Sequence, residues 1–247
     1  MLGIPISNGP ARLALAGEET YGSGVGDDRR TLGLSAELQD YVIASSGGTD
    51  PIATELAAAT RERFGEAARM NVEQDQGRLL EFLVAALGAR HVVEVGTFTG
   101  MSALFLARGL PADGRLVCLD LEARYVELGR TFWARAGVED RIDVRIGPAA
   151  DSLAAMPTDP PIDLAFIDAD KQGYATYLDL VLERLAPSGV VLVDNVLWGG
   201  AVLDEHVDDP DTVAIRVFND RVAADADLDA VMLGIGDGLT LLRRRAP

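Results

Sequence analysis

One cysteine and two histidines are all that 247 residues contain, and this scarcity removes whole classes of chemistry. Cys118 alone can form neither an internal disulfide nor a multi-thiolate metal centre; it lies in a strand pattern and reads as core. His91 and His206 are too few and too far apart for a histidine metal cluster. Basic residues are also sparse: 22 Lys and Arg against 39 Asp and Glu give a net charge of -17, which repels nucleic-acid phosphates over most of the surface. The run Arg243-Arg244-Arg245 is the exception and reads as a solvated strand end. No apolar stretch is long enough to cross a bilayer, and the start of the chain has neither the basic end nor the long apolar segment of a secretory signal. A cytoplasmic location is expected, with neither nucleic acid nor a membrane as partner.

Short apolar runs make up most of what remains, with 48% hydrophobic residues, enough for one α/β domain with a sizeable core. Residues 1–33 show no sustained period and read as a flexible arm; residues 34–247 read as a single domain. Leu34, Leu38, Tyr41 and Val42 have helical spacing behind a Ser35 cap, Asp50-Pro51 opens a second helix, and Gly77 to Leu87 gives a third with one apolar face. Strand patterns then follow at His91 to Val95, Arg115 to Asp120, Ile142 to Ile146, Ile162 to Asp168 and Val190 to Asp194. Helix patterns at Met101 to Arg108, Glu122 to Ala136 and Tyr174 to Leu185 separate several of them, the alternation of a parallel sheet covered on both faces. Leu228 to Leu233 and Leu239 to Leu242, joined through Gly234-Ile-Gly-Asp-Gly238, read as a hairpin that adds an antiparallel strand. The expected fold class is therefore α/β, with seven strands, mostly parallel, and helices on both faces.

Three stretches carry the chemistry. In Glu94-Val-Gly96-Thr97-Phe-Thr-Gly100-Met-Ser102 a strand turns through glycines into a helix, where backbone N–H groups meet an anionic or polar ligand. Its spacing differs from the G-x-G-x-x-G of dinucleotide sites, which argues against a nicotinamide oxidoreductase. The next strand ends in Asp120, where a ribose diol would be held. Further on, Phe166-Ile-Asp168-Ala-Asp170-Lys171 and Val193-Asp194-Asn195 end two strands in acids. Either acid alone reads most simply as a helix cap; together, two carboxylates and an amide oxygen form a hard, all-oxygen ligand set that suits Mg²⁺, with Ca²⁺ or Mn²⁺ also accommodated.

The glycine turn with Asp120 resembles the S-adenosylmethionine site of class I methyltransferases. Taken in order with Gly147-Pro148-Ala149, the Asp168 to Lys171 segment and Asp194-Asn195-x-Leu197-Trp198, it resembles the cation-dependent O-methyltransferases, the caffeoyl-CoA and catechol enzymes, over roughly Leu34 to Arg244. The resemblance implies a Rossmann-like fold, S-adenosylmethionine and Mg²⁺ as cofactors, and a homodimer. It assigns Glu94, Gly96, Thr97, Ser102, Asp120, Ala149 and Asp170 to the cofactor, with Val72 contributing a backbone contact. It assigns Asp168, Asp194 and Asn195 to the metal, and makes Lys171 the catalytic base.

The implied reaction is methylation of one hydroxyl of a catechol-like, vicinal dihydroxy aromatic. A phenolate must be generated and held in line with a sulfonium methyl, and a divalent ion on both hydroxyls lowers their pKa and fixes the pose. Trp198 and Tyr174 are expected to wall the site, or simply to pack. The sequence departs from the family pattern at Met101, where tyrosine is common, at Val72, where plant members have threonine, and at Gly199, where plant enzymes of the coenzyme A type carry asparagine. Two alternatives stand beside this reading: methyl transfer to another acceptor, and a non-catalytic S-adenosylmethionine-binding protein, which would keep Glu94 and Asp120 but need neither Lys171 nor the metal set.

Overall fold

The computed structural model describes residues 35–245; the arm expected over residues 1–33 lies outside them. Three helices come first, α1 (Ala36–Ser45), α2 (Pro51–Phe64) and α3 (Gln74–Leu87). Then follow β1 (His91–Val95), α4 (Met101–Gly109), β2 (Arg115–Asp120), α5 (Ala123–Arg135), β3 (Ile142–Ile146), α6 (Ala149–Ala155), β4 (Ile162–Ile167), α7 (Tyr174–Leu182), β5 (Leu185–Asp194), α8 (Pro210–Ala224), β6 (Leu228–Leu233) and β7 (Leu239–Arg244). The strands form one sheet in the order β3-β2-β1-β4-β5-β7-β6. The first five are mutually parallel, and β7 runs antiparallel between β5 and β6. The seven-stranded, mostly parallel sheet expected from the sequence is the one observed.

Period-two alternation with both faces covered explains the continuous apolar runs. Val92, Leu116, Cys118, Leu164, Phe166 and Leu192 enter the core on one face. Val93, Val95, Leu119, Ala165, Ile167 and Val193 enter the core on the other. Each fully buried leucine or phenylalanine of these strands contributes roughly 1.5–3 kcal/mol. On the first face α3 and α4 pack closely because Gly77 has no side chain: a Cβ there would stand 2.3 Å from the Phe105 ring.

Five elements differ from the sequence reading. The third helix starts three residues early, at Gln74. The helix after Tyr174 stops at Leu182, and β5 begins at Leu185; Pro187 disfavours helical backbone at Ala186, so the chain turns extended there. Helices α6 and α8 were not anticipated. Helix α1 forms behind its Ser35 cap, yet it buries no residue, and its apolar stripe is only partly covered: Leu38 is 39%, Val42 36% and Tyr41 69% exposed. No helix among them is long and apolar enough to cross a membrane.

Candidate active site

Strand order reverses between β1 and β4, and in open α/β sheets the crevice outside the strand ends at such a point receives the ligand. The two tips approach as closely as backbone allows. Asp168 N–H donates to the Val95 carbonyl at 2.8 Å, and a Cβ on Gly96 would lie 1.9 Å from the Asp168 carbonyl oxygen, at φ +87°. Only glycine fits there. Asp120, at the tip of β2, ties the next stretch down: one carboxylate oxygen accepts the Thr97 and Phe98 N–H groups at 2.9 and 2.7 Å, the other the Glu122 N–H at 2.8 Å. Three of roughly four acceptor positions on this carboxylate are thus taken by backbone.

Glu94 is wholly buried on β1, and neither carboxylate oxygen has a hydrogen-bond partner. Burial pushes its carboxyl from 4.5 up to about 7, with the Ser102 and Thr97 hydroxyls and the Cys118 thiol pulling in the opposite direction. The thiol is itself raised by burial and by Glu94.

A second group forms at the tips of β4 and β5. Lys171, 7% exposed, donates from Nζ to Asn195 Oδ1 at 2.7 Å, to Asp168 Oδ1 at 3.1 Å and to the Tyr174 hydroxyl at 2.6 Å. The Tyr174 hydroxyl in turn donates to the Asp194 backbone carbonyl at 2.9 Å. Nζ also stands 5.5 Å from the centre of the Trp198 ring, within cation–π range. Asp194 is buried beside Asp168, and burial plus that like charge push its carboxyl up to about 7; the Asn195 N–H, the Gln76 amide and Lys171 pull it down. The Asp168 carboxylate and the Asn195 amide oxygen therefore meet on one ammonium, with the Asp194 carboxylate buried nearby. Among the described residues, no three His, Cys, Asp or Glu side chains meet in one metal-sized group.

One open cavity of about 1220 Å³ joins both groups. Val72, Gly96, Thr97, Ser102, Asp120 and Ala149 line it from one side, and Asp168, Asp170, Lys171, Asp194 and Asn195 from the other. Glu94 alone of the twelve predicted site residues lies behind the wall. Asp170 accepts the Tyr177 hydroxyl at 2.6 Å. Trp198 lines the cavity as expected; Tyr174 does not, because its hydroxyl is spent on Lys171 and Asp194. The non-glycine residues of positive φ among those described, Phe98, Asn195 and Trp198, all line this cavity, so backbone strain of about 1–3 kcal/mol apiece is concentrated there.

Other lining residues had no role in the sequence reading. Gln76 is 2% exposed with its Nε2 unpartnered; it reaches the cavity only because α3 packs against the loop at Gly236, which no local pattern signals. Phe98 and Tyr125 pack at a tilt of 57° with ring centres 4.7 Å apart at the edge of the cavity, backed by Phe64. Asp237, in the β6–β7 loop, accepts the Gly199 N–H at 2.6 Å.

Comparison with known proteins decides the family, because the O-methyltransferase family model matches residues 43–245. The chain belongs to this family. Catechol O-methyltransferase of Mycobacterium tuberculosis is 39% identical over 198 residues, 80% of this chain and 88% of that protein. A probable caffeoyl-CoA O-methyltransferase of Dictyostelium discoideum is 35% identical over 211 residues, 84% of this chain and 91% of its own length. Among solved structures, the O-methyltransferase TomG of Streptomyces achromogenes, determined in complex with SAM, is 33% identical with a TM-score of 0.76, covering 84% of this chain and 96% of that one. The crevice of this O-methyltransferase thus lies in a fold shared nearly end to end with that relative.

Proposed function

We propose that this O-methyltransferase moves the methyl group of S-adenosylmethionine to one hydroxyl of a catechol-like small molecule with the help of a divalent cation, Mg²⁺ first. The observation that carries the reading is the convergence of Asp168 Oδ1 and Asn195 Oδ1 on a single cationic nitrogen, with Asp194 buried beside them. Two adjacent carboxylates that repel one another, together with an amide oxygen, fit a hard cation. Glu94, buried behind the cavity wall, would act on a cofactor through the Thr97 and Ser102 side chains that line it.

The roles follow the geometry. Asp168, Asp194 and Asn195 would hold the ion. Gly96, Thr97, Ser102, Ala149, Asp170 and the Val72 backbone would shape the cofactor's bed, and Asp120 has one acceptor position left for a ribose hydroxyl. When bound, the ion supplies positive charge beside the acceptor oxygens, and the cofactor supplies a methyl group on a sulfonium. Lys171, as the free amine, would take the proton from the acceptor hydroxyl at Nζ, and the site would hold the bared oxygen in line with the methyl carbon, whose bond to sulfur would break as the bond to oxygen forms, the neutral thioether leaving. Trp198 shields this encounter from water. The proposal extends to residues 34–247 as one domain and to a homodimer, for which light scattering should give about twice 26.2 kDa.

The test is methyl transfer from labelled cofactor to a panel of catechols, with and without a chelator. Loss of product on chelation and its return with Mg²⁺ are expected. Transfer that ignores the chelator removes the ion from the mechanism, and failure with every vicinal diol removes the acceptor class.

A further inference from the structure

The charge of the cavity is lopsided. Nine carboxylate residues and two cations line it, and one of those cations, Lys171, is engaged with Asp168. On the proposed function, one ion offsets Asp168 and Asp194, and Asp120 is taken by backbone N–H groups. The acceptor end, between Trp198, the start of α8 and the β6–β7 loop, is then edged by Asp211, Asp237 and Glu73, with Arg69 the only other cation on the cavity wall among the described residues. Residues 1–34 contain three arginines and four acids, so they bring no net positive charge. Gly199, next to Trp198, offers no side chain, and a Cβ there would meet nothing within 4 Å.

Gln76 is an independent observation at the same end. Its amide Nε2 is buried without a hydrogen bond of normal geometry and faces Asp194 and Gly236 at the cavity wall. A buried donor so poorly satisfied is costly unless a ligand completes it, and an oxygen atom of the acceptor can do so. The waiting donor is neutral. A phosphate-bearing acceptor would need several Lys or Arg for its anionic oxygens, and besides Lys171, which is engaged with Asp168, the described cavity wall offers Arg69 alone against nine carboxylates.

We propose that this site selects its acceptor by charge, taking vicinal-diol aromatics that are neutral or carry a cationic arm and turning away anionic ones, coenzyme A thioesters above all. The inference rests on the catechol reading of the site and narrows it. A unit charge on an acceptor beside two or three partly hydrated carboxylates feels an interaction worth roughly tenfold in kcat/KM.

The test compares 3,4-dihydroxyphenethylamine, 3,4-dihydroxybenzyl alcohol, 3,4-dihydroxyphenylacetate and caffeoyl-CoA as acceptors, at saturating S-adenosylmethionine and Mg²⁺. The amine and alcohol should exceed the phenylacetate about tenfold or more in kcat/KM, mainly through KM, with caffeoyl-CoA lowest. The amine-to-acetate ratio should shrink in 0.5 M salt and in the doubly neutralised Asp211→Asn, Asp237→Asn protein. Gln76→Leu should raise KM for every acceptor and leave cofactor affinity, read by calorimetry, as it was. Equal rates across the four acceptors, faster turnover of the phenylacetate or caffeoyl-CoA, or a ratio indifferent to salt and to both neutralisations overturns charge selection and leaves the catechol reading standing. No turnover of any of the four overturns both.

Discussion

Lys171 Nζ donates to Asn195 Oδ1 across 2.7 Å, joining the segment after β4 to the segment after β5. Through Asp168 and Tyr174 the same nitrogen touches both strand tips at once, so one buried side chain sets how far apart the proposed ligands stand.

Replacing that side chain should separate chemistry from binding. Lys171→Ala is expected to lower kcat by a factor of roughly 10²–10⁴, the usual span for loss of a general base. Cofactor affinity, read by calorimetry, should stay within a few-fold, since the residues proposed to hold the cofactor lie mostly on the other side of the cavity. Turnover that survives intact would strip Lys171 of its role.

Asp120 should matter to the fold before any cofactor arrives. Its carboxylate anchors the Thr97, Phe98 and Glu122 N–H groups, so Asp120→Ala should cost about 2 kcal/mol in cofactor-free urea unfolding. Cofactor affinity should fall as well. Asp120→Asn, which keeps an acceptor oxygen, should lose less on both counts. If cofactor-free stability is unchanged in the alanine variant, the three bonds contribute nothing.

Glu94 should give the protein a pH dependence of definite sign. Its carboxyl ionises near 4.5 when unfolded and near 7 when folded. Between those values the unfolded chain has lost the proton that the folded chain keeps, so stability falls as pH rises from about 4.5 to about 7 and is flat above. Glu94→Gln removes this loss. Without cofactor, the variant should exceed the parent by on the order of 3 kcal/mol at pH 8 and by little at pH 4.5. Parallel stability curves for the two proteins would contradict the assignment.

Gly96→Ala should break the crevice itself. The added methyl meets the Asp168 carbonyl at 1.9 Å, and the backbone at φ +87° already disfavours any side chain. A loss of about 3 kcal/mol or more is expected in thermal or urea unfolding, with activity abolished because β1 and β4 must part. Gly199→Ala is the control: φ is +59° there, but a Cβ meets nothing within 4 Å, so its loss should stay near 1 kcal/mol.

The legibility of the chain followed the strength of local signals. All seven strands could be read: β1, β2, β4 and β5 from apolar runs that end in a glycine or an acid, β3 from its alternation, and β6 and β7 from the glycine-rich turn between them. Helix α8 was missed although Asp209-Pro210 repeats the cap-and-proline start of α2; its buried positions, Thr212, Ile215, Phe218 and Val222, are few and spaced among polar residues. Helix α6 is seven residues long and buries only Ala149 and Leu153, too little for a period to emerge. Helix α1 had the period without the burial.

By itself the sequence determined the strand set, the glycine turn and the acids that end β2, β4 and β5, because these depend on residue type and on neighbours a few positions away. It also determined, through composition, that neither thiolates nor a histidine cluster could do the work. Only the tertiary structure decided that Asp168, Asn195 and Lys171 meet at one point, that Asp120 is largely consumed by backbone, that Glu94 is sealed without a partner, and that Gln76 reaches the cavity at all. Those outcomes depend on which strand lies beside which and on how a helix and a loop more than a hundred residues apart settle together, and long-range packing leaves no mark on a local pattern.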